Sequence, residues 1–136
     1  SDYTDMVAVA GPTAHNMRRV KVSINADHPE GRGLCGNAFR SRRACISNDM
    51  RADTRGSAFH RFIHSDGAMA GAAFPLMVSG RAVGVMFFIS SEKNTFTPEF
   101  AELLQRLTAE TIRFKDLHTS ESSLEEIFVS LVRGRA

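Results

Sequence analysis

Phe74-Pro-Leu-Met-Val-Ser-Gly-Arg-Ala-Val-Gly-Val85 is the stretch that decides the fold. Two apolar runs, residues 72–78 and 82–89, meet at Ser79-Gly80-Arg81. A glycine in so short a connection supplies a backbone conformation that a larger residue resists, which is the signature of a β-hairpin. Pro75 has no N–H to give to a ladder, so its strand is expected at an edge or a bulge. Gly84, inside an otherwise apolar strand, points to a close backbone approach.

Working outward, Thr97-Pro98 has the chemistry of a helix start. Phe100, Leu104, Leu107, Thr111 and Phe114 then recur with the 3.6-residue period of one helical face. Upstream, residues 44–47 read as a short strand and Asn48-Asp49 as the cap of an irregular turn. Residues 33–43 place Leu34, Ala38 and Phe39 at helical spacing. A short helix is also expected within 56–68, where Phe59, Phe62 and Ile63 lie between Gly56 and Gly67. The runs 6–10 and 20–24 read as two further strands, the first ending at Gly11-Pro12.

Composition limits the possibilities. A chain of 136 residues, 43% of them hydrophobic, supports one domain with one core. Seventeen Lys and Arg stand against fifteen Asp and Glu, and the arginines are dispersed in sequence, so a nucleic-acid-binding face is not indicated. No apolar run approaches the roughly 20 residues of a membrane span, and residues 1–5 lack the layout of a signal peptide. A cytoplasmic location without membrane insertion is expected. The two cysteines, Cys35 and Cys45, have neither metal-ligand spacing nor the number for a disulfide framework, and are expected as free thiols.

Four stretches taken in order resemble the GAF family: Glu30-Gly-Arg-Gly-Leu-Cys-Gly-Asn-Ala38, Ile46-Ser-Asn-Asp49, the hairpin 74–85, and Phe96-Thr-Pro-Glu-Phe-Ala-Glu-Leu-Leu104. The resemblance covers about residues 6–117. It implies an α+β fold, a GAF-like antiparallel sheet flanked by helices, with helices on one face and a small-molecule pocket between the other face and the connecting segments. A sensor domain is expected over 1–117, followed by a linker and amphipathic helix over 118–136. The family sheet usually begins with a helix and a central strand that this sequence does not show, so the domain is expected to lack them or to complete its sheet with another segment. Residues 127–132 have the strand propensity for that.

The function implied is that of a bacterial sensory module, binding a small ligand or forming a homodimer and controlling a fused or associated output domain. The pocket is expected near residues 57–71, with Phe59, Phe62, Ile63, His64, Met69, Phe74, Met86 and Phe88 as its lining. Core packing is the alternative role for each of them. No cofactor is named by the sequence. His60 and His64 share a helical face but have no third ligand, so no metal centre is expected. A haem variant would use His64 as axial ligand, a covalent bilin would need a Cys-His pair that is absent, and the cyclic-nucleotide signature is met by Phe96 but not at Ser90, Ser91 or Pro98.

One enzymatic alternative comes with the resemblance. Gly31-Arg-Gly-Leu-Cys-Gly36 looks like the motif around one cysteine of the free methionine-(R)-sulfoxide reductases, which have the GAF fold. A helix N-terminus and Arg32 would lower the Cys35 pKa and make the thiol reactive. That chemistry needs a second thiol to close a disulfide, and the family's other cysteine positions are not cysteine here.

In the tail, Ser122 with Glu125 and Ser123 with Glu126 each satisfy a capping box. Leu124, Ile127, Phe128, Leu131 and Val132 then share one face, so a helix that packs against a second chain is expected.

Overall fold

The computed structural model describes residues 1–11 and 17–114, with the backbone alone over 111–114. The tail segment 118–136 lies outside the described residues, as does its choice between helix and strand. Three antiparallel strands form the sheet in the order β1 (Cys45–Ser47), β2 (Ala70–Val78), β3 (Arg81–Ser90). Among the described residues three helices accompany it: α1 (Leu34–Ser41), α2 (His60–Ser65) and α3 (Pro98–Phe114). Short 3-10 turns at Pro29–Gly31 and Thr54–Phe59 lead into α1 and α2.

The hairpin stands where its sequence placed it. Val78 pairs with Arg81, leaving Ser79 (φ 50°) and Gly80 (φ 77°) as a two-residue turn in the left-handed region. Leu76 faces Gly84 and Met77 faces Ala82, so Val83 is the extra residue of a bulge. Pro75 lies on the middle strand, but β1 pairs only with Gly71, Ala72 and Ala73. The flank of β2 at Pro75 therefore has no strand beside it among the described residues, and the missing N–H costs little there.

Strand alternation divides the core. Ala70, Ala72 and Phe74 pack with Phe88, Phe96, Phe100, Leu104 and Leu107 under α3. Ala73, Val85, Phe87 and Ile89 face the other way, toward Leu34 and Ala38 of α1 and Ile63 of α2. Helices thus cover both faces, where one helical face was expected. The small residues of β2 let both layers come close: a Cβ on Gly71 would lie only 3.0–3.1 Å from Met50 Sδ, Leu34 Cδ1 and Phe87 Cε1.

α3 starts as its sequence dictates, with Thr97 Oγ1 accepting from Phe100 N at 3.2 Å and Pro98 in the first helical position. Phe100, Leu104 and Leu107 of its stripe reach the sheet. The N-terminal segments differ from expectation. Residues 6–10 form no strand; the pairing is a single bridge between Tyr3 and Ser23, flanked by Thr4 N to Val22 O and Ile24 N to Asp2 O, both 2.8 Å. An apolar run becomes a strand only where a partner takes its backbone groups, and the described residues offer 6–10 none.

Candidate functional site

The eight residues expected around a pocket are divided by the sheet. Phe59, Phe62 and Ile63 belong to the cluster under α1 and α2. Phe74 and Phe88 belong to the opposite cluster, in edge-to-face contact with ring centroids 5.9 Å apart. Met86 sits on that same α3 face, its Sδ 3.6 Å from Thr108 Oγ1. Met69 lies between, tied through its backbone to Met50 and Ser90, and His64 is exposed on α2. The fold brings together the first three and, separately, Phe74, Met86 and Phe88. Ile63, 2% exposed, plugs the face that the connecting segment covers.

The glycine-rich motif before α1 is a device for close packing. A Cβ on Gly31 would fall on the Asn25 carbonyl, and one on Gly36 would fall on the Gly31 carbonyl. A Cβ on Gly33 would come within 2.6 Å of the Phe59 ring, so Phe59 rests directly on the motif. Arg32, expected beside Cys35, instead donates to the backbone carbonyls of Ala26 at 2.9 Å and Asp27 at 3.3 Å. Cys35 packs against the core, and burial, with a smaller contribution from Cys45, pushes its thiol up to about 12. Burial thus opposes the activation that a helix terminus and Arg32 would give in the enzymatic alternative.

A polar clamp holds the connecting segment to the sheet. The Asp53 carboxylate accepts from Arg55 Nη2 at 2.6 Å, from its Nε at 2.9 Å and from its backbone N at 2.9 Å. The same guanidinium donates to Ile46 O at 3.0 Å and to Cys45 Sγ at 2.9 Å, so one arginine ties residues 53–55 to β1. The Arg55 hydrogen bonds hold the Asp53 carboxyl down at about 2, against the effect of burial. Burial raises the Cys45 thiol, partly offset by Arg55.

With this geometry in view, the sequence matches the family model described as GAF domain over residues 2–111. The chain belongs to the GAF domain family. Among solved structures, this GAF domain is similar to the GAF domain region of a Geobacter sulfurreducens PCA protein, with 24% identity and a TM-score of 0.54, covering 63% of this chain and 58% of that one. It is also similar to the type II free methionine-R-sulfoxide reductase of Thermoplasma acidophilum, with 20% identity and a TM-score of 0.50, covering 60% of this chain and 57% of the other. At such identities the likeness is one of fold. The GAF chain spans less than two thirds of the length of both. No protein with a curated description matches the sequence.

In the GAF domain, the His60 and His64 rings lie with centroids 4.1 Å apart and planes tilted by 40°. The His64 pKa is lowered, by desolvation first and then by His60 and Arg51. Among the described residues no three His, Cys, Asp or Glu side chains are placed to hold a metal, and no helix is long and apolar enough to cross a membrane. Sequence reasoning missed the Arg55 clamp. The spacing Asp53-x-Arg55 was its only signal, and nothing in one sequence says that Cys45 and Ile46 fold back onto it.

Proposed function

We infer that this GAF domain is a sensory or regulatory module of a bacterial signal-transduction protein. It works in the cytoplasm, binds a small ligand or dimerises, and thereby controls an output domain. The observation that carries this reading over catalysis is the state of Cys35. A thiol with its pKa pushed up to about 12 has almost no thiolate at neutral pH, and thiolate is the form that attacks a sulfoxide or a disulfide. Reductase chemistry at Cys35, the competing reading, also requires a second thiol. Cys45 is that thiol's only candidate, and its own pKa is raised.

For ligand entry, the segment 53–65 is the natural movable wall. Two anchors hold it, the Arg55 clamp at one end and Ile63 at the other, and Phe59 and Phe62 between them are partly buried. Displacing Ile63 and the two phenylalanines would open an apolar space against Val85, Phe87 and Ile89 while the clamp kept its hinge. Native mass spectrometry of the chain as purified tests this. A retained small molecule, lost on denaturation, is expected; uniformly empty protein that stays empty in a screen of cell metabolites would leave dimerisation as the only sensory route.

A further inference from the structure

We propose that the groove between the end of α1 and the β2–β3 turn binds a dianionic head group, an organic phosphate or a dicarboxylate with a short apolar portion. Arg40 and Arg42 from the end of α1 and Arg81 from the start of β3 line it, over a floor that includes Ile24, Phe39 and Ala82. Arg42 and Arg81 are 39 positions apart in sequence, and only the hairpin brings them together. No Asp or Glu occurs in residues 31–48 or 67–91, which contain every lining residue but Ile24. Among the described residues none of the three arginines pairs with a carboxylate, unlike Arg55, Lys93 and Arg106.

The guanidinium groups of Arg40 and Arg42 are held, and that of Arg81 is left to a ligand. Arg40 Nη1 donates to Ile24 O at 3.0 Å and Gly31 O at 2.6 Å, and Arg42 Nη1 donates to Gly80 O at 3.3 Å. Arg42 adopts φ 59°, a left-handed conformation unusual for arginine, as it caps α1. Arg40 Nη2 also donates to Asn37 Oδ1 at 3.4 Å, so Arg40 keeps Nε and one Nη2 hydrogen to offer, Arg42 keeps four of its five N–H donors and Arg81 all five. Three uncompensated cations around an apolar floor suit a dianion with a small apolar body, because a carboxylate or phosphate accepts bidentately from such forks.

The inference rests on the ligand-sensing reading, and it is tested separately from it. The full chain, labelled with nitrogen-15, is titrated with phenyl phosphate and with phenylsuccinate at constant ionic strength set by potassium chloride. Saturable shifts at the Arg42, Gly80 and Arg81 amides are expected with at least one probe, and the tighter probe names the head group. Arg42→Gln combined with Arg81→Gln should weaken binding by roughly tenfold or more with an unchanged melting temperature. Should Arg42→Gln disturb the helix cap, Arg81→Gln alone decides, since its exposed side chain makes no contact that the fold needs. The proposal is overturned by shifts that potassium chloride reproduces, by no saturation with either probe, or by unchanged affinity in Arg81→Gln. A molecule retained in native mass spectrometry alongside any of those results would leave ligand sensing intact and remove only this groove.

Discussion

The side-chain amide of Asn48 closes on the backbone of Phe96 from both sides: Nδ2 donates to Phe96 O at 3.0 Å, and Oδ1 accepts from Phe96 N at 2.9 Å. The Asn48 carbonyl also accepts from Asn94 N at 3.1 Å. Two of the stretches that carry the family resemblance, 46–49 and 96–104, are therefore one structural unit. The amide fixes the chain entering α3 and seats Phe96, 4% exposed, in the core. Asn48→Ala removes both bonds and leaves partly buried backbone groups unpaired, so it should cost about 2–3 kcal/mol. Urea unfolding checks this, and a midpoint equal to that of the natural sequence would remove the role assigned to Asn48.

Gly36 and Gly84 are expected to behave differently on substitution. A Cβ on Gly36 meets the Gly31 carbonyl, which cannot yield without moving the turn, so Gly36→Ala should destabilise by about 2 kcal/mol or more. A Cβ on Gly84 meets only the end of the Leu76 side chain at 3.3 Å, which can rotate away. Gly84→Ala should stay within about 0.5 kcal/mol. The close backbone approach inferred from sequence at Gly84 is thus a contact with a side chain. Thermal melts of both variants, if they gave the reverse order, would refute this assignment.

What was legible in the sequence follows from how local each signal is. The hairpin, the Thr97-Pro98 helix start and the α3 stripe each depend on neighbours within a few positions; the first two stand in the structure, and so does the stripe over Phe100, Leu104 and Leu107. The split of the eight pocket residues was not legible. Period-2 alternation works within one strand and does not relate Phe74 to Phe88; the bulge at Val83 sets the register that puts them on one face, and neither it nor the face that α2 covers is marked in the sequence. Residues 6–10 had the composition of a strand and lacked a partner, which composition does not reveal. The cluster of Arg40, Arg42 and Arg81 was hidden for a similar reason: arginines dispersed along the chain are gathered by a turn.

The Asp53–Arg55 pair gives a pH signature. With its folded pKa depressed to about 2, Asp53 contributes stability that is complete above its unfolded value near 4 and is lost as pH falls through the folded value. Denaturant midpoints measured between pH 5 and pH 2 should fall less steeply in Asp53→Asn than in the natural sequence. Equal slopes would show that the pair is not linked to folding.

The thiols are expected to be free and unequal. Denatured protein prepared without oxidant should yield two thiols per chain. In the folded state at pH 8, alkylation should reach Cys45 before Cys35, because the Cys35 thiol is held up at about 12. Peptide mapping after timed alkylation measures both rates, and faster labelling of Cys35 would contradict the environment described for it.

Dimerisation through residues 118–136 predicts that the intact chain sediments as a dimer. Deleting 119–136 should give a monomer with unchanged circular dichroism. Unfolding of a chain that was already monomeric would assign the tail to the domain's own core instead.

The claim that this GAF domain signals rather than catalyses is tested most directly by turnover. The full chain is incubated with free methionine sulfoxide and a dithiol reductant, and methionine is quantified over time. Formation no faster than in a protein-free control is expected, since burial pushes the Cys35 thiol up to about 12. Methionine produced catalytically, and abolished by Cys35→Ser, would contradict it.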